Sequence, residues 1–129
     1  MSTLGGLRTV ILDALDSLDV QSYDHVPPRL VPPAVVVIPG SPYLEAGDVF
    51  GTWTIRHTVA VVAGRGTNER VTEDVDELIT RAVCALTEAS IGVEQVSTLY
   101  SYEANGGQFL AADITTITTD YLEREEESP

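Results

Sequence analysis

The chain has 129 residues, of which 43% are hydrophobic, and 20 acidic residues against seven basic ones give it a formal charge of -13. This length fits one domain, and the composition is typical of a folded chain rather than a disordered one. All seven basic residues are arginine. The absence of lysine excludes a Walker-type phosphate loop, Schiff-base chemistry and pyridoxal chemistry, and the negative charge argues against a basic nucleic-acid groove.

The cysteine content and the absence of long apolar runs indicate the environment of the protein. A single cysteine, Cys84, cannot form an internal disulfide, so we expect the fold to depend on its core in a reducing compartment. Met1–Gly6 has no basic segment followed by an apolar run, and no apolar stretch approaches the ~18 residues of a membrane span. We therefore expect neither a signal peptide nor a membrane segment.

A first helix is predicted from Thr3 to Leu18, because apolar residues recur at intervals of three and four. The apolar stripe consists of Leu4, Leu7, Val10, Ile11, Ala14, Leu15 and Leu18. Leu12 falls outside the stripe. Two interpretations of it remain open, an isolated surface leucine or a contact with another subunit.

Proline and glycine divide the next segment into predicted strands and turns. Val20–Val26 is predicted as a short strand, and the continuously apolar Ala34–Ile38 as a strand buried on both faces. Pro39–Pro42 is predicted to end that strand in a turn. Tyr43–Gly51, which mixes glycine with acidic residues, is predicted as an exposed loop.

Thr52–Ala63 has the clearest strand pattern, with apolar residues alternating along it. One predicted face carries Trp53, Ile55, His57, Val59 and Val61. Gly64–Asn68 is predicted as a turn into a second helix, whose N-cap is either Asn68 or Thr72.

The second predicted helix has one apolar and one acidic face. The apolar face consists of Val71, Val75, Leu78, Ile79, Ala82, Leu86 and Ala89. Glu73, Asp76 and Glu77 are candidates for an exposed acidic face. An EF-hand is excluded, because carboxylates spread around a helix without a central glycine do not form its loop.

A final strand pair is predicted at Val93–Glu103 and Gln108–Leu122, with a turn at Asn105–Gly107. The order of helix, strands, helix and hairpin predicts an α+β fold, a single domain with a mostly antiparallel sheet and two helices packed on one face. We expect this domain to span residues 1–122 and an acidic, mobile tail to span residues 123–129.

Few residues could support catalysis. His25 and His57 lack partners at metal-site spacing, and a strand would point Asp24 away from His25. We interpret His57 as a satisfied core or interface histidine. Cys84 lies near acidic side chains on its helix, which disfavours a catalytic thiolate. We expect no catalytic residue, metal or cofactor, and predict that the chain is not an enzyme.

Several segments occur in an order shared with a known family. They are the opening helix, Val31–Gly40 with its PPAVVV run, Trp53–Arg65, Asp74–Ile79 and Phe109–Ile114. Across Leu4–Leu122 this order resembles the tail terminator family of long-tailed bacteriophages, also called tail-to-head joining or tail completion proteins.

The resemblance implies a structural virion protein. Members of the family form a ring, generally a hexamer, that caps the tail tube, ends its polymerisation and joins it to the head connector. The implied partners are other copies of the chain, the major tail protein and the connector or stopper protein, with genomic DNA passing through the hole without specific binding. The implied location is the tail-neck region of the virion, after assembly in the host cytoplasm.

A ring also needs subunit edges that bind, and edge strands and long polar loops supply such surfaces. We expect the loop Tyr43–Gly51 and the strand Thr115–Thr119 to take part in assembly. The candidate interface residues are Leu12, Tyr43, Leu44, Phe50, Thr116 and Thr118. Charged residues at positions 116 and 118 are expected to weaken assembly while the monomer stays folded.

Two alternatives remain open. One is another neck protein, such as a head-completion or stopper protein; stoppers tend to resemble β-barrels, so two helices favour the terminator. The other is a small-molecule-binding or enzymatic α+β domain, which would require His25, His57 and an acidic residue to meet in one apolar cleft.

Overall fold

The computed structural model describes residues 3–65, 69–104 and 107–124. The helices and strands are α1 Leu4–Leu15, β1 Gln21–Tyr23, β2 Ala34–Ala46, β3 Thr52–Arg65, α2 Glu69–Glu88, β4 Gly92–Val96, β5 Tyr100–Ala104 and β6 Gly107–Tyr121. A 3-10 turn at Asp16–Leu18 extends α1. The predicted first helix is therefore confirmed, with a tighter last turn.

The six strands form one mixed sheet in the order β1-β2-β3-β6-β4, with β5 also paired to β6. β1 runs parallel to β2, and the other paired strands are antiparallel. β3 and β6 pair along nearly their whole length, from Thr52 opposite Tyr121 to Arg65 opposite Phe109. The predicted α+β class and mostly antiparallel sheet are confirmed.

Both helices pack on one face of the sheet, as predicted. The side chains buried between the helices and this face of the sheet form what we call the main core. Its buried residues are Ile11, Leu15, Leu18, Val35, Val37, Val59, Val61, Leu78, Ala82, Leu86, Ile91 and Ile114. Two residues assigned to apolar helix faces are exceptions, because Val10 is 49% exposed and Ala89 is also exposed. Val10 lies within α1, whereas Ala89 follows Glu88, the last residue of α2.

A second, smaller core lies on the opposite face of the sheet. Leu30, from the segment between β1 and β2, packs there with Val62 and Phe109. Tyr100 and Tyr102 of β5 lie against the same cluster. Because side chains cover both faces of the sheet here, Ala34–Val37 is buried. The predicted strand buried on both faces is therefore confirmed for the first part of β2.

The predicted turn at Pro39–Pro42 is wrong, because β2 continues through it to Ala46. Among the described residues, β1 pairs only with Ala34–Val36, so the outer edge of β2 is free beyond that stretch. Proline is tolerated at such an edge, and a register shift against β3 accommodates the irregular backbone. The chain reverses instead at Gly47–Gly51, and Tyr43–Ala46 belongs to a strand rather than a loop.

The predicted strand Val93–Glu103 is two strands, β4 and β5. Ser97 lies at the break, where its N–H donates to the Asp113 carbonyl at 2.8 Å and its Oγ accepts from the Asp113 N–H at 2.9 Å. A side-chain bond of this kind competes with the regular strand ladder. Since both β4 and β5 pair with β6, β6 lies inside the sheet rather than at its edge.

The N-terminal capping residue is seen for α1 but not for α2. Thr3 caps α1, because its Oγ1 accepts a hydrogen bond from the Gly6 N–H at 2.9 Å. Thr72 lies inside α2, which begins at Glu69, so its prediction as the N-cap is wrong. Asn68, the other candidate, lies outside the described residues, as do residues 105–106 of the predicted final turn and residues 125–129 of the predicted tail.

Candidate functional site

The end of the β2–β3 hairpin carries two of the predicted interface residues. Phe50 is 101% exposed and Leu44 is 36% exposed. Two further apolar residues, Val49 and Trp53, are also exposed at this end. Leu44 and Trp53 are diagonal neighbours on one face, because Leu44 pairs with Ile55. We call Leu44, Val49, Phe50 and Trp53 the hairpin patch.

The turn that presents Phe50 is well defined by hydrogen bonds. The Gly47 N–H donates to the Thr52 carbonyl at 2.9 Å, and the Thr52 N–H donates to the Val49 carbonyl at 3.0 Å. Gly51 has a φ of +87°, which favours glycine over any residue with a side chain. The exposure of Phe50 is therefore a property of an ordered turn.

Trp53 and Val49 were not selected from the sequence. The alternating pattern correctly assigns Trp53 to the same face as Ile55. On that face, however, the exposed fraction of the side chain rises from 0% at Ile55 to 39% at Trp53. Alternation identifies the face of a strand and does not tell how far the covering helices reach. The sequence signal for its exposure is that Trp53 comes only two residues after Gly51, close to the turn.

Tyr43, a predicted interface residue, is half-buried and holds α1 to the hairpin. Its hydroxyl accepts a hydrogen bond from Arg8 Nη2 at 3.1 Å. Its ring meets the His57 ring edge-on, with centroids 5.5 Å apart and an interplanar angle of 82°. Tyr43 therefore contributes more to the subunit's own packing than to a free surface.

His57 is buried under this contact, with 1% of its surface exposed. The prediction of a core position is confirmed, but its Nε2 has no hydrogen-bond partner among the described residues, so the histidine is not fully satisfied. Burial lowers the pKa of His57 to about 4, and the nearby charge of Arg8 acts in the same direction. The imidazole is thus neutral in the folded protein near neutral pH.

This burial predicts that acid destabilises the fold. Because the folded pKa of His57 lies below its unfolded value, its stabilising effect is full above about pH 6.5 and is lost as the pH falls toward 4. We expect the free energy of unfolding to decrease by about 2 kcal/mol between about pH 7 and pH 5. Urea unfolding at several pH values should show this loss in the wild type and in His25→Gln, but not in His57→Gln. Equal losses in all three proteins would contradict the assignment.

The structure corrects the expectation for the threonine-rich strand. Thr116 is 1% exposed, lies between His57 of β3 and Val93 of β4, and donates a hydrogen bond to the His57 carbonyl at 3.3 Å. It is therefore not a surface residue, and a charge there would disrupt the monomer. Thr118 lies beyond the last residue that pairs with β4, Ile117, and is half-buried.

The remaining predicted residues lie on the two helices. Leu12 is partly buried, and it packs against the main core of its own subunit. Glu73, Asp76 and Glu77 are all exposed on α2, as predicted for the acidic face.

Arg56 forms a charged bridge that was not found from the sequence. On the sheet face opposite the helices, its guanidinium binds Glu45 of β2 and Glu94 of β4, with Arg56 Nη2 3.1 Å from Glu94 Oε2. The hydrogen bond to Arg56 lowers the pKa of Glu94, and the same pairing raises the pKa of Arg56. The strand order that brings these residues together could not be read from their spacing.

The remaining chemically reactive residues do not come together. His25 Nδ1 lies 2.6 Å from Asp24 Oδ1 in an exposed segment after β1, so the prediction that these side chains point apart is wrong. This contact lowers the pKa of Asp24. Cys84 is exposed on α2. Within the described residues, no group of three or more His, Cys, Asp or Glu side chains could hold a metal ion.

Three further findings concern membrane-spanning helices and similarity to known proteins. In residues 3–65, 69–104 and 107–124, no helix has the length and apolar character needed to cross a membrane. No protein-family model matches the chain, and a search of curated proteins gave no significant match.

Proposed function

We propose that this chain is a ring-forming structural subunit, a tail terminator that caps a phage tail tube and joins it to the head connector. The observation that supports this most is the hairpin patch, in which an ordered turn holds Phe50 fully in solvent. Contiguous exposed apolar residues on a soluble chain typically mark protein–protein contacts. Exposing apolar side chains to water is unfavourable, and a protein that works as a monomer gains nothing from such a patch.

Two further features support a role in assembly. Beyond its short pairing with β1, the outer edge of β2 has no strand beside it among the described residues, and such an edge can accept a neighbour. The acidic face of α2 and the formal charge of -13 would give a ring a surface that repels passing DNA. The enzyme alternative receives less support, because His25 is exposed beside Asp24 whereas His57 is buried beside Tyr43.

Native mass spectrometry of the purified protein, with negative-stain images of the same sample, tests the proposal. We expect a closed oligomer, with six subunits as the leading stoichiometry, and a central hole. If the protein is monomeric, the same experiment is repeated with tubes of the cognate major tail protein. A protein that neither forms rings nor binds tube ends would contradict the proposal.

A further inference from the structure

A cavity of about 290 Å³ lies between α2, the end of β3 and the residues that precede β1 and β2. Its apolar wall consists of Val20, Pro33, Ala63 and Leu78. An apolar protein cavity of about 150 Å³ is enough to hold benzene, whereas pockets for drug-sized ligands begin at about 300 Å³. The size of this cavity therefore suits a single side chain better than a cofactor.

Charged side chains line the α2 side of the cavity. Asp74, Glu77 and Arg81 follow one another at intervals of three and four, so they share one face of the helix. Arg81 is already engaged, because its Nη2 donates to the Leu18 carbonyl at 2.8 Å. In the part of the chain that the structure describes, neither Asp74 nor Glu77 forms an ion pair. The wall of the cavity thus has one more acidic than basic group, and both carboxylates are available to a cation.

We propose that this cavity binds one long cationic side chain, a lysine or an arginine, of a different protein. The aliphatic stem of that side chain lies on the apolar wall, and its charged end lies next to Asp74 and Glu77. Lysine and arginine fit such surroundings because they bury their stems along apolar surface and keep their charged ends in a polar one. The inference goes beyond the proposed function and does not depend on it, since the occupant is not a second copy of the chain.

The charge of the chain favours a different, basic protein as the source of this side chain. Two copies of the chain, each with a formal charge of -13, repel one another on approach, whereas a basic protein is attracted. The chain also contains no lysine, and its Arg56 is already bound to Glu45 and Glu94. A basic partner therefore gains both the long-range attraction and the contact with the two carboxylates.

NMR titration of the full chain with blocked amino acids tests the chemistry of the site. The probe is N-acetyl-lysine N-methylamide. Its norleucine analogue keeps an alkyl stem without the charge, and its diaminopropionic acid analogue keeps the charge on a short stem. We expect the lysine probe to shift the backbone amides of Ala63, Gly64 and Leu78 and to bind about five-fold more tightly than either analogue.

Two charge-matched double variants locate the contact. Asp74→Asn with Glu77→Gln removes the carboxylates that line the cavity, and we expect it to raise the dissociation constant of the lysine probe about five-fold. Glu73→Gln with Asp76→Asn removes two exposed carboxylates of the same helix that do not line it, and should change that constant by less than about two-fold.

A third variant tests the space itself. Gly64 lines the cavity, and a Cβ added there meets no atom within 4 Å, so Gly64→Leu competes with the occupant without a clash in the backbone. We expect this variant to lose the shifts caused by the lysine probe. Thermal unfolding of the three variants checks that each stays folded.

Four results would overturn the proposal. They are the absence of any shift with the lysine probe, equal binding of the lysine and norleucine probes, and equal losses in the two double variants, which would indicate general attraction to an acidic helix. The fourth is a shift of the same amides when the protein concentration is raised without a probe, which would identify a second copy as the occupant. The first three leave ring formation untouched, and native mass spectrometry tests it separately.

Discussion

Thr116→Lys is expected to lower the free energy of unfolding by about 4 kcal/mol, a large share of the stability of a domain of this size. Thr116 is 1% exposed and lies on β6 between β3 and β4. A lysine there adds volume to a packed site and places an ammonium group close to buried His57 and, through it, to Arg8. Neither neighbour can compensate a positive charge.

Urea unfolding, followed by circular dichroism, measures this effect. The control is Thr119→Lys, an exposed position on the same strand, which should change the stability by no more than about 0.5 kcal/mol. The deficit at position 116 should also shrink as the pH rises, because burial lowers the pKa of a lysine and the neutral amine is less costly to bury. Equal unfolding midpoints for the two variants would contradict the burial of Thr116.

Leu15→Ala is expected to cost about 3–5 kcal/mol, because it leaves a cavity where α1 meets the main core. Leu15 is 1% exposed and is one of the largest fully buried side chains. Leu12, on the same helix, is only partly buried, so Leu12→Ala removes the same atoms with a smaller expected loss of about 1 kcal/mol. Chemical denaturation of the pair measures the difference.

The same pair of variants separates packing from assembly. If Leu12 contacts another subunit, Leu12→Ala should weaken oligomers more than it lowers the monomer's unfolding midpoint. Equal destabilisation of the monomer by Leu12→Ala and Leu15→Ala would contradict the assignment of Leu15 as fully buried and Leu12 as only partly buried.

Periodicity predicts the helices, the two faces of β3 and the α+β class, because these depend on local spacing. It could not predict which strands lie at an edge. Proline usually ends a paired strand, so the sequence predicts a turn at Pro39–Pro42. In the part of the chain that the structure describes, however, β1 is short and no strand pairs with the outer edge of β2 at either proline. Similarly, a threonine fits an edge strand as well as an inner strand, so its residue type does not locate Thr116. Only the pairing of β4 with β6 places Thr116 inside the sheet.

The hairpin patch was predicted in part for a related reason. The length and polarity of Tyr43–Gly51 predict a surface loop, and Phe50 is indeed exposed there. Tyr43, in contrast, is held by Arg8 and His57, residues 35 and 14 positions away in the sequence. Sequence spacing contains no information on such contacts.

The internal position of β6 has a consequence for folding. β6 is the partner of β3, β4 and β5, and all three precede it in the sequence. During synthesis, therefore, the start of β3 leaves the ribosome about 55 residues before the start of β6, the strand that covers its free edge. Of the strands that the structure describes, only β6 pairs with β4 and β5, so both wait for it. Long-range pairing of this kind is slow and leaves β-strand edges open to other chains. We expect the nascent chain to aggregate most readily just before residues 107–121 are made, at the stage when many copies are translated side by side.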